Sequence, residues 1–335
     1  MKLATYKDGS RDGQLIVVSR DLRLAHYATG IASRLQQVLD DWGFLAPQLQ
    51  DLYHLLNTGR AAHAFAFDPM QCMAPLPRAF QWAQGQAYLS HLALIQPQAE
   101  VSRTEPMLRQ GAGDSFAGAC DEVAVPSAAM GMDFVAGWAA ITGDVPMGSS
   151  AEQAQYSVRL LMLSHTIALR NLPDPASHVQ SYPATAFSPV AVTVDELGDA
   201  WKAGRLHLPL HTSCNGRKVG LCEAGEGMDF SMGQLIAHLC KTRSLAAGCV
   251  VGSGAVSNAG TPTGRGKDKR MEWPRGCHSM AEKRAMEVLQ NDAPSTPYLQ
   301  FGDSVRSEMK GKDGQSIFGA LDQTMVSPQG EGSAQ

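Results

Sequence analysis

From Phe134 to Thr142 the chain is apolar at nearly every position, and a second apolar run extends from Val158 to Leu169. A run of that length and character predicts a strand buried inside a sheet. Between the two, Ser150-Ala151-Glu152-Gln153 resembles the start of a helix. Around this centre the texture is one of short strands and turns. Residues 1 to about 20 read as two strands joined by Asp8-Gly9 and Asp12-Gly13, the second being Gln14–Val18. Leu35, Val38, Leu39 and Trp42 then recur at helical spacing, and after Pro47 the pattern resumes with Leu49, Leu52, Leu55 and Leu56.

The second half continues in the same mixed style. Leu206, Leu208 and Leu210 alternate with His207, Pro209 and His211, and Asn215-Gly216 follows as a strong hairpin signal. Ser231 to Leu245 reads as an amphipathic helix with a stripe of Leu235, Ile236 and Leu239. Cys249-Val250-Val251 reads as a strand entering a Gly-rich loop from Gly252 to Gly266, and Asp313-Gly314 joins two strands, Val305–Met309 and Ser316–Leu321. No internal repeat is visible. The fold class expected is α+β. Pro69, Pro75 and Pro77 mark a linker, so the expected division is a small N-terminal α/β domain over 1–72, a larger domain over 73–326 and a flexible tail over 327–335.

Composition narrows the function classes. With 28 Lys plus Arg against 32 Asp plus Glu the chain has no basic field, so nucleic acid is not expected as a partner. No apolar run reaches the roughly 18 residues that span a bilayer, so no membrane is expected either. The first nine residues lack the apolar centre of a signal peptide, and the seven cysteines form no Cys-x-x-Cys pair. A cytoplasmic location is the expectation. Generic motifs are silent. Gly252-Ser253-Gly254 lacks the third Gly of a dinucleotide loop, and Gly266-Lys267-Asp268 lacks the Ser or Thr of a P-loop. A turn with close backbone approach is the better reading of Gly252–Gly254. His207 and His211 have no third ligand nearby and read as solvent-facing. Lys267, Lys269, Arg270 and Arg275 read as a solvated basic loop.

Several longer stretches occur in a telling order: Leu76-Pro77-Arg78-Ala79-Phe80-Gln81-Trp82, Met132-Asp133-Phe134, Val145-Pro146-Met147-Gly148, Arg159–Leu163, Ala186–Thr193, Lys241–Leu245, Gly252-Ser253-Gly254 and Ala293–Pro297. They span most of the chain, and together they resemble the fumarylacetoacetate hydrolase family, in particular its bacterial members of this length. The resemblance implies a mixed β-roll catalytic domain, a small N-terminal domain and a homodimer. It also implies Mg²⁺- or Ca²⁺-dependent hydrolysis of a carbon–carbon bond in a β-diketone or acylpyruvate. In such chemistry a His–Glu pair activates water, while a cation held by carboxylates chelates the diketone and stabilises the departing enolate.

Residue by residue, this sequence departs from that pattern. The family's His and Glu fall on His91 and Glu282, the latter in Ser279-Met280-Ala281-Glu282. The four metal-ligand carboxylates fall on Gln84, Val135, Gly137 and Thr166. A substrate-binding Lys falls on Tyr182, and a Thr after Gly-Ser-Gly falls on Ala255. Such side chains cannot make a hard-cation site, so no metal and no cofactor are expected. The reading is therefore a metal-independent hydrolase-like enzyme with His91 as general base and Glu282 as its orienting partner. His165, Tyr182 or Arg170 would stabilise charge in place of the cation, and Gln84, Val135, Gly137, Thr166 and Ala255 would complete the substrate pocket. The expected partner is a small-molecule carbonyl compound, less anionic, bulkier or more aromatic than usual. A lyase, isomerase or decarboxylase on the same pocket is an alternative, as is a catalytically silent partner subunit. A third is a shifted metal site using Asp114, Asp121, Glu122 or Asp133.

Overall fold

The computed structural model describes residues 1–172, 178–264 and 270–328. The chain opens with β1 (Lys2–Tyr6), β2 (Gln14–Val18) and β3 (Leu24–Tyr27), followed by α1 (Leu35–Asp40), α2 (Trp42–Asn57) and β4 (Phe65–Ala66). Both Asp-Gly pairs lie in the β1–β2 turn, where Gly9 and Gly13 take positive φ. The expected break at Pro47 is displaced. α2 runs through Pro47 one turn from its start, and the interruption falls at Asp41, whose φ of -131° and ψ of 54° end α1.

Next come β5 (Trp82–Gly85), α3 (Leu89–Ile95), β6 (Leu108–Gly111), β7 (Val123–Ala124), β8 (Met132–Thr142), α4 (Ala151–Tyr156), β9 (Val158–Leu169), α5 (His178–Ser181), β10 (Ala184–Phe187) and β11 (Ala191–Thr193). A ribbon of β12 (Trp201–Lys202) and β13 (Arg205–Leu206) leads to the hairpin β14 (Pro209–Cys214) and β15 (Arg217–Glu223). The chain then forms α6 (Met232–Leu239), β16 (Val250–Gly252), the ribbon β17 (Thr261–Thr263) and β18 (Arg270–Glu272), α7 (Met280–Asn291), β19 (Ser304–Met309) and β20 (Leu321–Val326).

Two sheets carry the molecule. The larger has the order β4-β3-β2-β1-β11-β9-β8-β16-β5-β6, with β10 also beside β9, and the smaller is β15-β14-β19-β20-β7. Within the larger sheet β5 and β16 pair in parallel. The N-terminal strands are continuous with the rest through β1 and β11, where Lys2 pairs with Val192. The Pro-rich stretch is tied to the same strand rather than free: Met73 N donates to Thr5 O at 2.9 Å, and Thr5 Oγ1 donates to Pro75 O at 2.7 Å.

β8 is buried at all eleven positions, as its composition predicts. Phe134, Ala136, Trp138 and Ala140 enter one core cluster, while Ala139 and Ile141 enter a second on the opposite face. Asn215 and Gly216 both take positive φ, as a two-residue turn between twisted strands requires. Ser150 caps α4 through Gln153 N and Ser231 caps α6 through Gln234 N. α6 stops at Leu239, because Leu245 turns away to pair with Val145. The turn at Asp313-Gly314 is closed by Lys310 and Ser316, yet the second strand begins only at Leu321. Phe318 dives into the core and Gly319 has φ of +75°, so the pairing stops once Ile317 N has donated to Met309 O at 3.1 Å. No helix among the described residues is long and apolar enough to cross a membrane. Residues 329–335 of the expected tail, and Lys267 and Lys269 of the basic loop, lie outside the described residues. Arg270 is exposed and Arg275 pairs with Glu226 at 2.8 Å.

Two histidines are sealed in the core. His278 Nε2 accepts the Cys222 N–H at 3.2 Å, so Nδ1 carries the proton and donates to Thr212 Oγ1 at 2.8 Å. Burial pushes His278 down to about 4, and pushes His165 down to about 4 as well. Between the ordinary value near 6.5 and about 4, the unfolded chain binds protons that the folded chain refuses. Their contribution to stability is therefore full above that window and is lost as pH falls through it. Urea melts at pH 7, 6 and 5 should show this decline. His165→Leu should flatten the slope by up to about 1.4 kcal/mol per pH unit, and an unchanged slope would contradict a neutral buried His165.

Candidate active site

The site forms where α3 and α7 meet the pocket end of β8. α3 follows β5 directly, and its start is fixed by Tyr88, whose hydroxyl donates to Ala224 O at 2.8 Å and accepts from Trp138 Nε1 at 3.1 Å. Leu89 N donates to Asp229 Oδ2 at 2.7 Å, which supplies the cap that Tyr88 cannot. His91 thus sits in the first turn of α3, 6% exposed.

α7 is held just as firmly. Ser279 Oγ accepts the Glu282 N–H at 3.1 Å, and Asp133 Oδ1 of β8 accepts the Met280 N–H at 2.6 Å. Glu282 therefore lies at the positive end of the helix, fully buried. Its Oε2 accepts the His278 N–H at 3.2 Å, while Oε1 lies 3.1 Å from His91 Nδ1. That approach is off the line of a formed hydrogen bond and neither atom has another partner, a slackness common in catalytic pairs before substrate binds. Burial alone would raise the Glu282 carboxyl. The proximity of His91, with help from Ser257 and the His278 amide, outweighs it and holds Glu282 below the usual value. With Nδ1 turned to Glu282, Nε2 is the ring nitrogen left to take a proton from water.

A cavity of about 30 Å³ opens beside this pair, lined by Gln84, His91, Arg109, Val135, Arg170, Tyr182 and Ala255 among others. Val135, Ala168 and Ala255 form a small apolar cluster against which Tyr182 packs. Arg170 is bound to Asp133 Oδ2 through Nε at 2.9 Å and Nη2 at 2.8 Å. A second cavity of about 20 Å³, lined by Thr166 and Thr185, shares Gln84, Arg109 and Tyr182 with the first. The Arg109 guanidinium carbon lies 4.0 Å from the centre of the Tyr182 ring.

A model of the fumarylacetoacetate (FAA) hydrolase C-terminal family matches residues 81–326, and one of the fumarylacetoacetase N-terminal domain 2 family matches residues 1–78. The chain belongs to the fumarylacetoacetate hydrolase family. Among curated proteins none matches it significantly. Solved structures do. The fumarylacetoacetate hydrolase of Exiguobacterium antarcticum is 17% identical, with 98% of this chain and 100% of that chain covered at a TM-score of 0.66. Maleylpyruvate hydrolase from Sphingobium sp. SYK-6 is 14% identical, with 98% and 100% covered at 0.64, and has also been solved with manganese(II) and pyruvate. A 5-carboxymethyl-2-hydroxymuconate delta-isomerase from Mycobacterium smegmatis is 13% identical, with 98% and 99% covered at 0.60. At these identities the likeness is one of fold.

Measured against the family's metal chemistry, the donors do not fit a hard cation. Gln84 and Thr166 are neutral, and Val135 offers no donor. At Gly137 a Cβ would stand 2.0 Å from Gly254 O, so a fumarylacetoacetate hydrolase-type Glu has no room there. Gly254 is pressed in turn on β5, where its own Cβ would meet Gly85 O at 2.5 Å, which matches the close-approach reading of Gly252–Gly254. Both Asp133 oxygens are occupied, Asp121 pairs with Lys7 at 2.7 Å, and Asp114 and Glu122 are exposed. The shifted metal site does not assemble. Among the described residues no group of three His, Cys, Asp or Glu could hold a metal ion.

Two expected pocket residues are misplaced. His165 follows Leu161, Leu163 and Ile167 onto the core face of β9, its ring 6.3 Å from that of Phe134, while Thr166 takes the pocket face. A strand's period of two forbids neighbours from sharing one face. Gly137 touches backbone instead of lining the cavity. His207 and His211 are exposed, and His207 lies in the link between β13 and β14 rather than on a shared strand. The sequence reading also missed Gln86, Tyr88, Ser253 and Arg109. The Ser-x-x-Glu capping pattern at 279–282 was a signal for α7, but the four-residue β6 offers no period that could have revealed Arg109.

Gly137→Ala should cost about 1–3 kcal/mol of stability and lower the melting temperature. An unchanged melting temperature would mean that β8 and the Gly254 loop separate easily.

Proposed function

We propose that this protein is a carbon–carbon bond hydrolase acting on a β-diketone or acylpyruvate-like carbonyl compound, with His91 and Glu282 as a water-activating pair and no hard cation. The observation that carries the reading is the 3.1 Å approach of His91 Nδ1 to Glu282 Oε1 at the edge of a small cavity. Burying an imidazole beside a carboxylate costs desolvation, and activating water is a use that repays it.

In this reading Nε2 of His91 takes a proton from water while Glu282 holds the ring and balances the imidazolium. The hydroxide adds to one carbonyl carbon. The bond from that carbon to the carbon between the two carbonyls then breaks, and its electron pair passes to the departing fragment as an enolate. Return of the proton from His91 gives one carboxylic acid and one ketone, so one water is consumed. The enolate charge needs a positive neighbour of its own. Arg170 lines the cavity, but its charge is already balanced by Asp133.

His91→Ala should lower kcat by ~10² to 10⁴ in an acylpyruvate hydrolysis assay, and Glu282→Gln should lower it substantially with little change in melting temperature. Turnover should persist in EDTA. Chelator-sensitive turnover, or an active His91→Ala variant, would overturn this mechanism.

A further inference from the structure

We propose that Arg109 is the residue that grips the anionic end of the substrate, a small 2-oxo acid or the acylpyruvate containing one. The proposal rests on reading the cavity as the substrate site. Arg109 on β6 is the register partner of Gln84 on β5, so the two side chains rise side by side toward the pocket. Position 84 is where the family resemblance places an acid. An acid there would neutralise a neighbouring guanidinium; an amide leaves its charge available.

That charge is otherwise unclaimed. Arg109 takes part in none of the ion pairs among the described residues, and its Nε is buried with no hydrogen-bond partner. Its neighbour is the face of the Tyr182 ring at 4.0 Å, which steadies a guanidinium without neutralising it. A buried polar atom left unmatched is costly unless something arrives to match it. The other carboxylates here have partners of their own: Asp133 holds Arg170, and Glu282 faces His91 and accepts the His278 N–H. Of the two arginines lining the cavity, Arg109 is therefore the one with no carboxylate partner, and a planar carboxylate suits its fork of donors.

The same stack explains why the space is so small. Cavities of about 30 Å³ and about 20 Å³ hold a water or two each, and the Arg109–Tyr182 pair lines both. If Arg109 leaves the ring to meet a carboxylate, the two join. The apolar cluster of Val135, Ala168 and Ala255 then forms a wall facing the remainder of the ligand. The substrate is accordingly anionic at one end and apolar at the other, which revises the simpler expectation of a less anionic substrate.

Pyruvate binding by the full-length protein, measured by calorimetry in EDTA, tests this. The wild type should bind pyruvate with an affinity that falls as salt rises. Arg109→Gln should weaken binding at least tenfold and lose that salt dependence, and Arg109→Lys should retain part of it. No pyruvate binding by the wild type, salt-insensitive binding, or an unchanged affinity in a folded Arg109→Gln variant would each overturn the proposal. Melting curves verify folding, and Arg109→Lys and the wild-type salt series stand if Arg109→Gln does not fold. Turnover of His91→Ala separates the two readings. A dead His91→Ala with unaltered Arg109→Gln affinity rejects Arg109 alone, while an active His91→Ala with weakened Arg109→Gln binding rejects the His–Glu pair alone.

Discussion

The rest of the molecule is arranged around one long strand that is buried at every position. β8 is hydrogen-bonded to β9 on one edge and β16 on the other, and both its faces are packed. A strand so enclosed favours apolar side chains and makes a charged one costly unless it is paired. Its single acid, Asp133, obeys that rule through Arg170 and the Met280 amide. Its glycine lets the Gly254 loop come against the backbone, and its valine gives the cavity an apolar wall. The helices bearing His91 and Glu282 are docked relative to this strand, so the geometry of the pair is inherited from the sheet.

Electrostatically, the site differs in kind from one built for a divalent cation. A cluster of carboxylates is tolerable only when a metal balances it. Here the four positions hold Gln84, Val135, Gly137 and Thr166, and each buried acid at the site has a matching base or amide donor. The cation left without a carboxylate partner is a side chain, Arg109. A guanidinium is fixed to its strand and directional, so it selects for the position and shape of an anion more than for chelating oxygens.

Much of this was legible in the sequence, for identifiable reasons. The apolar continuity of Phe134–Thr142, the Asn215-Gly216 turn and the Ser150 and Ser231 caps are local signals, and local interactions decide those elements. His91 and Glu282 were identifiable because a resemblance placed them in register, and they do meet. The errors have a different origin. His165 adjoins Thr166 in sequence but points to the opposite side of the sheet, and a one-residue parity cannot be seen without the strand's pairing. Arg109 reaches the pocket only because β6 lies beside β5, a tertiary fact. Ser316–Gly319 looked like strand, yet the burial of Phe318 overrode the pattern.

The carboxylate of Asp133 has a mechanical meaning beyond its charge. One of its oxygens holds the first turn of the helix that carries Glu282, and the other holds Arg170 at the end of β9, on the cavity wall. The two are therefore tethered to a single anchor on a strand buried along its whole length. A ligand that pulls on Arg170 loads the same anchor that aims Glu282 at His91, so occupancy of the cavity and alignment of the pair are joined by one side chain.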